Sequence, residues 1–434
     1  MFINITPYVR RFLSVIVSSC KTFYRPVPSP NNMYCIPRQK LSLTFTDIFT
    51  LLFRSFWRGA THTTDEHQFI RALSRYLGSD HIGLVPSASW AFYHVLAFYG
   101  VDGRTIYLPA HVYPMFPEVA EALGGRVAYL PMRDDTLSID PVETLDMVSE
   151  GDIVLFPYYY GNIPAGAHTL LSSLKTKGCL VICDSVQYFY PDKKTCSLAD
   201  VILYSFSRAK DLDLMGGAAV IGNSPGVLSF LKERYLSEPL PSRRKLLFLW
   251  VKYLYMKFFT SFPFFHFITF PLLLVSAYTK RKGIAGSPHV LFGDQKVESI
   301  IRWSFRMVNI QFWMGERKLR NLKSVIDERI HYGSRLYRVI EECGTVGLPR
   351  SQHSIYYLFP LVGVDADLRV PFLVKGIDTK EFFLRDCGTM PTSKRLIFLP
   401  VSALRKGTYH SFERTLLDAF STFVEDIEYH SGTS

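Results

Sequence analysis

Two stretches decide the fold of this chain: CLVICD at residues 179–184 and VILYSFSRAK at residues 201–210. Each begins with a short apolar run containing Val and Ile, which is typical of a strand buried on both faces of a sheet. Similar runs alternate with helix-like stretches from about residue 64 to residue 223. This alternation predicts an α/β fold with a mostly parallel central sheet and helices on both faces. Because ligands of such sheets lie beyond the carboxyl ends of the strands, Asp184 and Lys210 become candidate site residues.

The composition predicts a large globular domain with a smaller one beside it. The chain has 434 residues, of which 48% are hydrophobic, and this is enough for a full core. Its seven cysteines are scattered, without the paired spacing of a zinc site or a disulfide framework. We therefore expect a reducing compartment and no metal.

The net charge of +11 is compatible with nucleic acid, anionic lipid or an anionic substrate. Its distribution favours lipid. Basic residues dominate the first sixty positions, and the basic clusters at residues 243–245 and 280–282 flank an apolar stretch that has no charged side chain from residue 258 to 278. Basic residues beside apolar segments are typical of membrane-surface anchors. We expect no nucleic-acid partner.

For residues 246–279 we predict a re-entrant hairpin that enters one leaflet and contacts membrane lipid, together with its basic flanks. The stretch 258–278 is long enough to cross a bilayer, but a single crossing would separate the two halves of one catalytic subunit. Basic residues at both ends predict a monotopic or peripheral protein on the cytoplasmic side. A buried insertion or a dimer-contact helix is the alternative. A cleaved signal peptide is disfavoured, because the apolar run after Arg11 is short.

An aspartate and a lysine at neighbouring strand ends, followed by Gly216-Gly217, suit the cofactor pyridoxal 5'-phosphate (PLP). PLP needs a lysine amine for a Schiff base and a carboxylate that keeps its pyridine nitrogen protonated. Its phosphate is best bound by free backbone N–H groups at the start of a helix. Residues 87–89 precede a helix-like run and can supply that cup, with Ser89 near the cap position.

Residues 85–221 resemble the DegT/StrS family of PLP-dependent sugar aminotransferases, which have the PLP-dependent transferase type I fold. The family's Ser-Phe-x-x-x-Lys is intact at residues 205–210, and its Glu-Asp-x-Ala-His/Gln corresponds to residues 183–187. Its Pro-x-x-Thr-aromatic segment corresponds to residues 109–113, and its Ser-Gly-Thr to residues 87–89. A fainter similarity continues over residues 295–425.

The resemblance implies a role for each matched residue. Lys210 would hold PLP covalently and shuttle the proton of the reaction. Asp184 would pair with the pyridine nitrogen, and Gln187 would lie at the phenolic oxygen. Four further residues complete the predicted cofactor site: Ala88, Ser89 and Ser205 at the phosphate, and Tyr113 stacked on the ring.

The predicted domains follow from these segments. Residues 1–60 form a basic, apolar extension at the membrane surface, and residues 61–225 form the large PLP-binding domain. Residues 226–294 contain the apolar hairpin, and a long helix within residues 295–330 completes the large domain. Residues 331–434 form a small C-terminal α/β domain.

The chain departs from the family's pattern at three points. Ala88 replaces a glycine, and Ser304 replaces an asparagine before the long helix. The histidine expected before Tyr160 is replaced within residues 157–160, whose tyrosines we interpret as strand residues facing alternate layers.

The resemblance implies a homodimeric aminotransferase that transfers an amino group, from glutamate by family analogy, to a nucleotide-linked keto-sugar. The apolar insert suggests a lipid-linked sugar as the other acceptor and the membrane surface as the place of the reaction. Relatives that dehydrate sugars carry histidine in place of this lysine, so Lys210 favours amino transfer. The alternative hypothesis is a membrane-bound scaffold or regulatory protein that keeps the fold without turnover.

Overall fold

A seven-stranded sheet forms the centre of the protein. The structure is a computed structural model that describes residues 44–57, 63–133, 136–278, 304–343, 351–361, 377, 380–383 and 395–399. The strands are β1 (Ile82–Val85), β2 (Thr105–Pro109), β3 (Arg126–Leu130), β4 (Met132–Arg133), β5 (Ser138–Ile139), β6 (Ile153–Pro157), β7 (Asn162–Pro164), β8 (Leu180–Asp184), β9 (Val201–Ser205), β10 (Ala218–Gly222), β11 (Ser351–Ser354), β12 (Phe359–Leu361), β13 (Lys380–Phe383) and β14 (Arg395–Leu399).

Helices connect most of these strands. They are α1 (Phe45–Trp57), α2 (Thr63–Leu77), α3 (Ala88–Tyr99), α4 (Met115–Ala122), α5 (Pro141–Met147), α6 (Ala167–Thr176), α7 (Lys193–Leu198), α8 (Pro225–Ser237), α9 (Arg243–Phe259), α10 (Phe270–Tyr278) and α11 (Asn309–Cys343). A 3₁₀ turn at Tyr159–Gly161 and a π-helical turn at Phe265–Thr269 complete the described helical segments.

The central sheet has the strand order β1-β10-β9-β8-β6-β2-β3. β10 runs antiparallel to both of its neighbours, β1 and β9, and every other pairing in this sheet is parallel. Val85 pairs with Ala218, and Ala218 pairs with Ser205, so the ends of β1 and β9 lie in one row across the sheet. The predicted mostly parallel sheet is confirmed.

Successive strand residues point into two separate cores. In β8, Val181 and Cys183 pack into one core and Ile182 into the other. The first core is covered by helices that include α2 through Phe69, and the second by helices that include α3 through Trp90. This alternation explains why the strands appear in the sequence as continuous apolar runs and confirms helices on both faces.

The long helix begins later than the sequence pattern predicts. Residues 304–308 are not helical, and α11 runs from Asn309 to Cys343, through the predicted domain boundary at residue 330. The Met307 N–H group donates to the Tyr235 hydroxyl, and the Val308 N–H group donates to the Gln311 side chain. These side-chain acceptors satisfy the backbone before the helix starts.

The apolar insertion is a broken helix that is partly built into the core. α9 ends at Phe259, a π-helical turn follows the break, and α10 begins at Phe270. Trp250, Tyr253 and Met256 of α9 are buried in the same core as the central sheet. One side of α9 is therefore packed into the core of the large domain. Within the described part of the chain, no helix is both long and apolar enough to cross a membrane.

The other side of α9 is exposed. Phe248 and Val251 are 59% and 58% exposed. α1 packs against α9 and exposes Phe45, Phe49 and Phe53, which are spaced four residues apart on one face of their helix. A hairpin embedded in lipid stays a prediction.

The described residues after α11 form two small sheets. β11 pairs with β7, and β12, β14 and β13 form an antiparallel sheet in that order. The predicted small α/β domain otherwise lies outside the described residues, as do residues 1–43 of the predicted N-terminal extension and the basic cluster at 280–282.

Candidate active site

The predicted site residues meet at the carboxyl edge of the central sheet. Asp184 is the last residue of β8, and Ser205 is the last residue of the neighbouring strand β9. A loop of residues 206–217 then connects β9 to β10 and carries Lys210; we call it the lysine loop. Because β1 ends in the same row as β9, the start of α3 also lies at this edge.

Lys210 lies partly exposed, with its ammonium nitrogen 5.2 Å from the centre of the Tyr357 ring. The surrounding protein lowers the pKa of Lys210 through burial, while Asp184 and Asp211 oppose that effect through their charges. A lowered pKa favours the neutral amine, which is the nucleophilic form needed to attack a carbonyl carbon.

Asp184 is a buried carboxylate with acceptor capacity to spare. Its Oδ1 accepts one hydrogen bond, from the Val186 N–H group at 3.1 Å, and no other described group donates to this carboxylate. Burial raises the pKa of Asp184 to about 6, against the opposing effects of the Val186 hydrogen bond and the Lys210 charge. An ionised carboxylate has about four acceptor positions, so Asp184 can still accept a hydrogen bond from a protonated ring nitrogen.

Gln187 supports a strained turn beside the site. Its Oε1 accepts the Tyr160 N–H group at 2.7 Å, and Tyr160 has a φ of +60°. Because the oxygen is engaged, Gln187 would present its NH₂ group to a ligand oxygen, which agrees with its predicted place at the phenolic oxygen. The interpretation of residues 158–160 as strand is wrong: β6 ends at Pro157, and a 3₁₀ turn begins at Tyr159.

The helix start that is predicted to bind the phosphate is present at α3, but its cap differs from the prediction. Ser87, and not Ser89, caps the helix, with its hydroxyl accepting the Trp90 N–H group at 3.1 Å. Ala88 and Ser89 occupy the first turn, where backbone N–H groups have no partner within the helix. Ser205 lies in the same row of the sheet as Val85, which ends the strand before α3, and its hydroxyl is 2.9 Å from the Ser207 hydroxyl. An anion is stabilised in such a position.

The predicted role of Tyr113 stays a prediction. The Tyr113 side chain is 54% exposed, and its ring lies edge-on to Phe116 with centroids 6.1 Å apart. Ser304, which replaces the family's asparagine, is partly exposed.

Several residues that hold the lysine loop were not found from the sequence. The Asp211 carboxylate forms a bidentate ion pair with Arg329 of α11, and the Tyr357 hydroxyl donates to the Ala209 carbonyl at 3.0 Å. Asp213 is fully buried and accepts hydrogen bonds within the loop. The one available signal was Asp213 itself, a charged residue between two leucines in a loop.

The residues at this edge fit PLP. The lysine amine has a lowered pKa, the buried carboxylate retains free acceptor positions, and the helix start offers N–H groups without intrahelical partners. These three features correspond to the aldehyde, the ring nitrogen and the phosphate of the cofactor.

Comparison with known proteins supports PLP as the cofactor. Residues 53–232 match the model of the DegT/DnrJ/EryC1/StrS aminotransferase family. A search of curated protein sequences finds no match.

Solved structures resemble nearly the whole chain. The aminotransferase TlmJ from Streptoalloteichus hindustanus is 14% identical, with a TM-score of 0.65 over 90% of this chain and 100% of its own. The sugar aminotransferase CalS13 from Micromonospora echinospora is 15% identical, with a TM-score of 0.62 over 88% and 99%. NtdA from Bacillus subtilis, solved with the bound cofactor PMP, is 17% identical, with a TM-score of 0.61 over 87% and 82%.

At these identities the structural likeness establishes the fold, and the family match adds the chemistry. Residues 53–232 match the DegT/DnrJ/EryC1/StrS aminotransferase family, and this match identifies the chain as a PLP-dependent aminotransferase.

Proposed function

We propose that this enzyme transfers an amino group from glutamate to a keto-sugar carried by a nucleotide or a lipid. The observation that carries the proposal is that the Lys210 amine and the Asp184 carboxylate, which has free acceptor positions, lie at the same edge of the sheet and influence each other's charge. The family match and the fold shared with a sugar aminotransferase support a sugar as the amino acceptor.

Each polar residue of the site has a definable task. When bound, PLP supplies an electron sink for the substrate carbon that loses its proton. Asp184, whose pKa is about 6, is ionised at neutral pH and would keep a proton on the ring nitrogen through a charge-assisted hydrogen bond. The first turn of α3 and the Ser205 hydroxyl would hold the phosphate and thereby orient the ring.

Lys210 is the acid and base of the reaction. Once the amino donor has displaced it from the cofactor, the Lys210 Nζ, whose pKa is lowered by burial, would accept the proton from the substrate carbon and deliver it to the cofactor carbon that carried the aldehyde. The Tyr357 ring beside the ammonium limits where Nζ can move. Gln187 would donate its NH₂ group to an oxygen of the bound ligand.

The amino-transfer proposal is tested in two half-reactions with purified protein loaded with PLP. Addition of glutamate should remove the visible absorbance of the bound cofactor. A nucleotide-linked keto-sugar, or a lipid-linked one in membrane extract, should restore it. If PLP binds but no amino donor changes the spectrum, the protein is a scaffold that has kept the fold without turnover.

We further propose that the enzyme works at the cytoplasmic surface of a membrane as a homodimer. The apolar side chains exposed on α9 and α1 support lipid contact, as does the absence of Asp and Glu from residues 239–293. Dimerisation rests on family analogy and is measured by sedimentation of the detergent-solubilised protein. A fully active monomer would exclude it.

Vesicle binding tests the membrane part separately. The double variant Phe248→Ser/Val251→Ser should bind anionic vesicles at least about tenfold more weakly, because each apolar side chain contributes roughly 1.5 kcal/mol or more when buried. Val142→Ser is the matched control, since Val142 is 66% exposed on α5, and it should bind normally. Unchanged vesicle binding combined with a weaker dimer would assign the surface to the partner subunit instead.

A further inference from the structure

The lysine loop contains two residues in an unfavourable backbone conformation. Ala209 and Met215, which lie on either side of Lys210 in the loop, have φ values of +63° and +65°. Residues with a Cβ rarely adopt this left-handed conformation, because the Cβ approaches the backbone carbonyl. Something in the surrounding structure must therefore hold both residues in place.

One carboxylate binds both strained residues. The Asp213 Oδ2 accepts the Ala209 N–H group, and the Asp213 Oδ1 accepts the Met215 N–H group, each at 3.0 Å. Asp213 is 0% exposed, so these bonds form away from water. The Asp213 side chain thus spans the turn that presents Lys210.

The apolar insertion supplies a third donor to the same carboxylate. The Tyr253 hydroxyl of α9 donates to the Asp213 Oδ1 at 3.2 Å, and Tyr253 is itself buried. Lys318 of α11 lies on the other side, with its Nζ 3.4 Å from the Asp213 carbonyl oxygen. A carboxylate acts only as an acceptor when ionised, and three donors with a nearby ammonium compensate for its burial.

A second contact joins α9 to the loop. An Arg208 guanidinium nitrogen lies 3.2 Å from the Met256 sulfur. Tyr253 and Met256 are three residues apart and therefore lie on the same face of the helix. That face packs on the lysine loop, while Phe248 and Val251 of the same helix are exposed.

We propose that Asp213 and Tyr253 are positioning residues for Lys210, and that the apolar insertion is thereby part of the active-site scaffold. The proposal rests on the proposed function in one respect, namely that Lys210 is the residue that receives PLP. Asp213 fixes the backbone on both sides of the lysine, and Tyr253 fixes Asp213.

The test compares Tyr253→Phe with Trp250→Phe. Both variants keep an aromatic ring at a buried position of α9, but only Tyr253 has a hydroxyl bonded to Asp213. Hydrogen exchange of the Ala209 and Met215 amides, measured without cofactor, should accelerate about tenfold in Tyr253→Phe, because a hydrogen bond to a charged group is lost. Trp250→Phe should leave these two amides unchanged even if it lowers the melting temperature.

The loaded enzyme gives the second readout. The PLP dissociation constant should rise about fivefold in Tyr253→Phe and about 30-fold in Asp213→Asn, because an amide NH₂ group cannot accept the N–H group that a carboxylate oxygen accepted. Borohydride trapping of PLP at Lys210 should fall in parallel. If Asp213→Asn does not fold, Tyr253→Phe carries the test alone.

Equal amide exchange and equal PLP affinity in the two α9 variants would overturn the proposal. Failure of the wild-type protein to trap PLP at Lys210 would instead count against the proposed function. The amide exchange in the cofactor-free protein would still decide whether Tyr253 holds the loop, so the two failures are distinguishable.

Discussion

Asp184 and Asp213 are two buried aspartates beside the same lysine loop, and they differ in how many donors they meet. The Asp184 carboxylate accepts one hydrogen bond from the described residues, whereas the Asp213 carboxylate accepts three. Burial raises the pKa of both carboxyl groups. Burial alone therefore does not distinguish a residue that serves a ligand from one that serves the fold.

The difference in hydrogen bonding does distinguish them. A buried carboxylate with free acceptor positions is stabilised when a cationic ligand binds to it. A carboxylate that already accepts three hydrogen bonds gains little from such a ligand. Asp184 is thus available to a cofactor, and Asp213 is committed to the backbone. The predictions below test this division of roles.

Removal of the Lys210 side chain should have the largest effect on cofactor binding and amino transfer. Lys210→Ala should abolish borohydride trapping of PLP and lower amino transfer by at least about 1,000-fold, since the acid and base of the reaction is lost. It should also raise the pKa of Asp184, because the Lys210 charge lowers it. Peptide mapping after reduction measures the adduct, with exposed Lys232→Ala as control. The same level of covalent adduct in Lys210→Ala would exclude this lysine.

A third aspartate beside Lys210, Asp211, is compensated by an ion pair rather than by backbone hydrogen bonds. Asp211 and Arg329 are 6% and 9% exposed and pair directly. Arg329→Met should lower the free energy of unfolding by about 3–5 kcal/mol, because it leaves a buried carboxylate unpaired. The control is Arg320→Met, whose side chain is 70% exposed and whose loss should change stability by less than about 1 kcal/mol. Urea unfolding of both variants measures the difference. Equal stability would mean that water reaches Asp211.

The free-energy cost of burying the ionised Asp184 should appear in the pH dependence of the stability of the cofactor-free protein. The pKa of Asp184 is raised from 3.8 to about 6 on folding, so its favourable contribution is complete below pH 3.8 and is lost as the pH rises towards 6. Between pH 4 and pH 7 the stability of Asp184→Asn relative to wild type should increase by up to about 3 kcal/mol. Exposed Asp146→Asn should give no such increase. A flat difference for Asp184→Asn would show that the site is well hydrated.

The same substitution should have a smaller free-energy effect on catalysis. Asp184→Asn should retain PLP but lose about 100-fold in turnover, because an uncharged partner stabilises a protonated ring poorly. Turnover at saturating substrate, together with the cofactor content, measures this. Wild-type turnover would reassign Asp184 to a structural role.

The sequence predicted the parts of the site that depend on local pattern. Asp184 and Lys210 follow apolar runs, and those runs form neighbouring parallel strands whose carboxyl ends share an edge. The start of α3 was also located from the sequence, although its cap, Ser87, lies two residues before the predicted Ser89, since any of three small residues could start the helix. Its role in binding the phosphate stays a prediction.

The remaining parts depend on contacts between distant segments. The hydrogen bond between Tyr253 and Asp213 joins residues 40 positions apart, and no periodicity reports such a contact. The apolar residues of α9 are not confined to one face, so its pattern could not indicate which face is buried. The start of α11 at Asn309 depends on a hydroxyl from α8, Tyr235, which the helix pattern does not contain.

The reversed direction of β10 has a consequence for the order in which the site assembles. Because β10 returns beside β9, the lysine loop is the connection of a hairpin, closed by the hydrogen bond from the Phe206 N–H group to the Gly217 carbonyl. Hairpins bring together residues close in sequence and form within microseconds. We expect the lysine to reach its approximate place before α9 has docked, and Tyr253 to fix it only in the last steps of folding.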